Sequence, residues 1–173
     1  MLGLPSIVRR RAYTVILTVF RMLPAWVRRN VVRAGTPSFT VGAVCVVEHD
    51  GALLMLRQPH RPGWSLPGGL LDRRETAAQA VVRETREETG LQVEVGIPLT
   101  TKVNPRVRRV DVIFRVQVDS RPHVRPAGEA VDADWLRPED VIESADGPTR
   151  EVLELLARAV QPGASEGRLI GEA

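Results

Sequence analysis

The sequence predicts an α/β sandwich, a mixed sheet with helices on both faces, preceded by a helical extension of different character. Three observations lead there. Runs of β-branched and aliphatic residues separated by turn residues recur from Ser38 to Leu136. An amphipathic helix with signals at both ends interrupts them after Thr76, and a second helical pattern, Thr149 to Val160, closes the region with Leu153, Leu156 and Val160 inward. The length of 173 residues fits one domain of ordinary size plus an extension. With 43% hydrophobic and 26% charged residues the chain is globular, which excludes a disordered one. The single cysteine, Cys45, excludes an internal disulfide and a multi-cysteine metal site, and its apolar surroundings mark it as a core residue. The chain shows no internal repeat, P-loop, dinucleotide fingerprint or zinc spacing.

The net charge of +3 is unevenly spread. Arg9, Arg10, Arg11, Arg21, Arg28, Arg29 and Arg33 precede the first acidic residue, Glu48, and the rest of the chain is net negative. Residues 1–37 therefore form a basic extension. On a helical wheel Arg10, Arg11, Thr14, Thr18 and Arg21 share a stripe opposite Val15, Ile16, Val19 and Phe20. Pro24 breaks the pattern, and Trp26, Val27 and Val31 continue it beyond. The uncharged run Ala12 to Phe20 is too short to span a bilayer, and no small-residue cleavage site follows the basic start. A cytoplasmic protein is expected. Its helices either pack on their own domain or on the mate of a homodimer, or lie through residues 1–33 on an anionic membrane surface.

From Ser38 the pattern is β. The run FTVGAVCVVEH, the turn His49-Asp50-Gly51 and ALLMLRQ read as a hairpin. A loop, PHRPGWSLPGG, follows, with Arg57, Gln58 and Arg61 near its mouth as candidate substrate contacts. Gly68 and Gly69 let backbone approach a ligand closely. Further on, LQVEVGIPLTTKV, RRVDVIFRVQV and AVDADWL read as strands and RPEDVIE as a helix start, and residues 161–173 as a flexible tail. No basic groove interleaved with aromatic residues appears in residues 38–160, so no nucleic acid partner is expected.

The central stretch is GLLDRRETAAQAVVRETREETGL, Gly69 to Leu91. Thr76 is an N-cap with Gln79 completing a capping box, and Gly90 supplies the left-handed residue that ends the helix. Glu84, Glu87 and Glu88 fall at i, i+3 and i+4 on one face, where like charges repel. A hard cation offsets that repulsion, and magnesium takes oxygen ligands while keeping sites for phosphate oxygens. Arg83, beside Glu84 and four residues before Glu87, can orient a carboxylate.

These residues resemble the Nudix box, G-x5-E-x7-R-E-U-x-E-E-x-G-U, with Gly69, Glu75, Arg83, Glu84, Glu87, Glu88, Gly90 and Leu91 in place; Thr85 stands where an aliphatic residue is usual. The W-x-L-P-G-G approach extends the resemblance upstream. It implies a Nudix-type sandwich over residues 38–160 and metal-dependent hydrolysis of a diphosphate linkage in a nucleoside triphosphate or a nucleotide sugar such as ADP-ribose. It also implies Mg2+, with Mn2+ as a substitute, bound by Glu84, Glu87, Glu88 and the Gly68 carbonyl. Arg83 would then orient Glu84, and Glu75 would support the site. The general base varies in the family; here it is Glu84 or a later acid, for which Glu129 stands in a suitable loop. A nucleotide-sensing or partner-binding module without turnover is the alternative the same fold allows.

Overall fold

A computed structural model describes the backbone of residues 6–159, with side chains from Thr14 to Arg158. The expected inward Val160 and the expected tail lie outside the described residues. The chain divides into two compact units, the first ending at Phe39 and the second beginning at Thr40.

The first unit is two helices, α1 (Ser6–Met22) and α2 (Ala25–Gly35), broken where Pro24 cannot continue a helix. Val15, Ile16, Val19, Met22 and Trp26 are each more than half exposed. No described helix is long and apolar enough to cross a membrane.

The second unit is a seven-stranded mixed sheet with helices on both faces. Its central strand is β1 (Thr40–His49), which pairs parallel with β6 (Arg109–Gln117) along its whole length. The other edge of β1 is shared end to end. It takes β4 (Gly68–Leu70) at its start and β2 (Ala52–Arg57) at its finish. Outside these lie β3 (Trp64–Ser65) and β7 (Asp132–Leu136) on β2, and β5 (Thr100–Asn104) on β6. Alternate side chains of β1 enter two cores, as the two-residue strand period dictates. Ala43, Cys45 and Val47 pack with Ala80 and Val81 of α3 (Ala77–Thr89). Val46 packs with Val141 of α4 (Pro138–Val141) and with Val152 and Leu153 of α5 (Gly147–Ala159). Burial on both faces explains why β2 reads as a continuous apolar run and not as an alternating one.

One expected strand is shorter than its pattern. Leu91 to Gly96 alternates in burial but pairs with nothing as a strand, Ile97 to Leu99 are exposed, and pairing begins only at Thr100. Gly96-Ile97-Pro98 explains the delay, because proline has no amide to give to a ladder. Thr85 is fully buried, and its Oγ1 has no hydrogen-bond partner. The neighbouring polar group is the Cys45 thiol, a weak donor, which burial pushes up to about 11. The methyl fills the place of a bulkier aliphatic group, and the hydroxyl beside the thiol partly opposes that rise.

Candidate active site

The helix that carries the carboxylates is fixed at both ends by local chemistry. Thr76 Oγ1 accepts from the Gln79 amide at 3.3 Å, and Gln79 Oε1 accepts from the Thr76 amide at 2.9 Å. Gly90 closes it at φ 73°. Because the cap sets where the first turn begins, it also sets which face turns toward β4.

Arg83 is the hub of that face. Its Nε donates to Glu75 Oε1 at 2.9 Å, its Nη1 to Glu84 Oε1 at 2.8 Å and to Glu87 Oε2 at 3.2 Å, and its Nη2 to the Leu70 carbonyl at 3.1 Å. One guanidinium thus joins three carboxylates and the end of β4. The Arg83 contact holds Glu75 below the usual carboxylate range, and Glu75 in turn, ahead of Glu84 and Glu87, holds the Arg83 guanidinium above its usual range.

Glu88 faces inward and is 6% exposed. Its Oε2 accepts from the Gly68 amide at 2.9 Å, and its Oε1 from Gln58 Nε2 at 2.5 Å. Burial, and after it the negative charge of Glu84, pushes its carboxyl up to about 7; the Gly68 amide, Arg61 and Gln58 oppose the rise. Since the folded pKa lies above the unfolded one, Glu88 adds most to stability below about pH 4.5, and that contribution is lost as pH rises through about 7. In Glu88→Gln, measured without divalent cation, the fall in melting temperature from pH 5 to pH 8 is expected to shrink. Parallel curves for the two proteins would remove Glu88 as the cause.

A cleft of about 680 Å³ opens over these groups, lined by Gln58, Arg61, Gly68, Gly69, Glu84, Glu88 and Glu129 among others. The structure therefore brings these seven sequence candidates to one place. Glu129 stands at the rim, its side chain 74% exposed and 3.6 Å from His60 Nε2. Arg83, Glu75 and Glu87 do not line the cleft; they stand behind Glu84. Arg57 is elsewhere, its guanidinium 5.0 Å above the Trp64 ring. Arg109, Asp146 and His60 line the cleft as well, and none of them stood out in the sequence. The one local sign was a second basic residue at the start of a β pattern.

Among the described residues no three His, Cys, Asp or Glu side chains converge closely enough to hold a metal ion. The cause is visible: Arg83 lies between Glu84 and Glu87, and Glu88 turns to Gln58 and the Gly68 amide. The donor set nevertheless suits a hard cation. Glu84, Glu88 and Glu129 present only carboxylate oxygens to the cleft, and the Glu84 charge beside buried Glu88 is the arrangement a divalent ion relieves.

The site is thus a capped Glu-rich helix packed on a Gly-Gly strand of a mixed sheet, with a polar cleft opening beside them. The NUDIX domain model matches residues 36–156, and the chain belongs to that family. A MutT-like protein of Streptomyces ambofaciens is 37% identical over 98 residues, which are 57% of this chain and 63% of that protein. A CTP pyrophosphohydrolase of Escherichia coli is 28% identical over 125 residues, 68% and 92% of the two chains. An ADP-ribose pyrophosphatase of Methanocaldococcus jannaschii is 32% identical over 80 residues, 42% and 47%. The chain thus spans less than two thirds of the Streptomyces protein. A NUDIX hydrolase structure from Nitrosomonas europaea superposes with a TM-score of 0.61 at 23% identity, covering 71% of this chain and 70% of that one.

Proposed function

We propose that the protein is a metal-dependent hydrolase of the diphosphate linkage in a nucleoside triphosphate or a nucleotide sugar such as ADP-ribose. The observation that carries this reading is the meeting of Glu84, Glu88 and Glu129 with Gln58, Arg61 and the Gly68–Gly69 backbone in one cleft. A divalent ion, magnesium or in its place manganese, supplies charge neutralisation and an activated water when bound there. Glu84 and Glu88 offer it oxygens, with Glu87 alongside and the Gly68 carbonyl as a further ligand. Arg83, braced by Glu75, fixes the direction of Glu84. Glu129 at the rim takes the proton of the attacking water, and Gln58 and Arg61 meet phosphate oxygens. Two relatives carry names that support the two substrate classes, CTP and ADP-ribose.

A screen of nucleotides with magnesium, reading released phosphate or pyrophosphate, is the test. Turnover is expected to require the cation, and Glu129→Gln to lower the maximal rate by roughly tenfold to a thousandfold with little change in substrate affinity. No turnover of any nucleotide would favour a sensing module; a wild-type pH–rate profile in the variant would remove Glu129 from the chemistry. We further propose that the protein is cytoplasmic and that the exposed apolar positions of α1 and α2 meet a second copy. Solution mass tests this, and sedimentation of a monomer with anionic vesicles would replace it by a membrane contact.

A further inference from the structure

We infer that Arg61 and Arg109 form a subsite for the terminal phosphate of a triphosphate chain, so that the cleft prefers a nucleoside triphosphate to a nucleotide sugar. The inference rests on the proposed function and narrows it.

Both arginines line the cleft that holds Glu84 and Glu88, and both also line the smaller pocket beneath it. They belong to the wall built from the β2–β3 loop, β6 and the start of α5, whereas the carboxylates come from α3. Each guanidinium is anchored by a buried aspartate. Arg61 Nη1 donates to Asp146 Oδ2 at 3.1 Å, and Asp146 is 4% exposed. Arg109 Nε donates to Asp111 Oδ1 at 2.6 Å, and Asp111 is also 4% exposed. The anchors are themselves held. Asp146 Oδ1 accepts from the Thr149 amide at 2.8 Å, and Asp111 lies on β6 in register with Gly42 of β1.

Gly42 shows that this second pair has a place made for it. A Cβ there would fall 2.6 Å from Asp111 Oδ1 and 2.8 Å from Arg109 Nη2. Only a residue without a side chain lets the pair lie across β1.

A guanidinium has five N–H donors in a rigid fork. Each of these spends one on its aspartate, which leaves the rest of the fork for an anion and removes much of the entropy cost of ordering a long side chain. Arg61, Arg109 and His60 are the cationic or potentially cationic side chains among the described cleft residues. The phosphates flanking the broken bond are served by the metal side of the cleft. A third phosphate brings further negative charge and three oxygens that need donors of their own, and a guanidinium fork matches them. The sugar of a nucleotide sugar presents neutral hydroxyls and gains little from two such forks.

The test is binding of inorganic tripolyphosphate and of inorganic pyrophosphate to the full chain with magnesium, followed by calorimetry. The wild type is expected to bind tripolyphosphate about tenfold more tightly than pyrophosphate. Arg109→Gln with Asp111→Asn removes the fork without stranding a buried carboxylate, and it should bring the ratio close to one. Arg109→Lys, which keeps the charge and the aspartate contact, should lower the ratio severalfold and serves if the double variant does not fold. Equal binding of the two anions by the wild type, or an unchanged ratio in a folded variant, overturns the inference. Because binding is read without turnover, a preserved tripolyphosphate preference in a protein that hydrolyses nothing would sink the hydrolase reading and leave the subsite standing.

Discussion

The paired substitution Glu87→Gln with Glu88→Gln is expected to lower hydrolysis of any good substrate roughly a thousandfold, about 4 kcal/mol of lost barrier stabilisation. Folding should survive. Glutamine keeps the length of each side chain, relieves repulsion among three carboxylates on one helical face, and removes the burial cost of an ionised Glu88. Its amide oxygen can still accept from the Gly68 amide. The two positions act differently: Glu88 holds the β4 backbone, while Glu87 is half exposed and tied to Arg83. The pair together tests the site more cleanly than either alone. Steady-state rates with saturating magnesium, alongside a thermal melt, check both halves of the expectation. Unchanged turnover in a folded double variant would sink the metal-site assignment.

Gly68→Ala should have a large effect on stability. Gly68 sits at φ 145°, a region that side-chain-bearing residues rarely enter, and an added Cβ would fall 2.3 Å from the Ala43 carbonyl oxygen and 2.9 Å from the Val44 Cα. Both neighbours are backbone of the central strand and cannot step aside. A loss of roughly 3 kcal/mol or more is expected, visible as a lower denaturation midpoint with an unchanged denaturant slope. Gly69 is the instructive neighbour. A Cβ there would meet the Glu84 carboxyl and not backbone, so Gly69→Ala should cost less stability and more activity, by pushing a proposed ligand aside. If the two variants lose stability equally, the assignment of backbone clash to one and side-chain displacement to the other is wrong.

The features legible in the sequence are those that local chemistry decides. The capping box at Thr76 and Gln79, the left-handed Gly90, the break at Pro24 and the hairpin around Asp50-Gly51 each depend on residues within a few positions of one another. The cleft partners depend on distance in sequence. Arg61 and Asp146 are 85 positions apart, and nothing near either announces the other. Arg109 looked like one arginine among many, because its role is set by Asp111 and by the absence of a side chain at Gly42 across the sheet. Arg57 went the other way. It lies beside Gln58 in sequence, but the alternation of a strand sends adjacent residues to opposite sides, and it ends over Trp64. The strand expected from Leu91 failed for a related reason: its alternation was real, but a strand also needs a neighbour with free amides and carbonyls.

The parallel union of β1 and β6 joins residues 69 positions apart in sequence at every step. On a translating ribosome, β1 therefore emerges well before the strand that will lie beside it. At about 5 to 20 residues per second the wait is roughly 3 to 14 s. During that interval β1 and β2 can close their hairpin, a microsecond event, yet the hairpin is apolar on both faces, one of which waits for α3 and the other for α4 and α5. The nascent chain is thus most exposed to aggregation before α3 has been made, and holding factors that bind apolar hairpins would act on it then. Slowing synthesis between residues 57 and 77 should lower the soluble yield more than slowing it between residues 89 and 109.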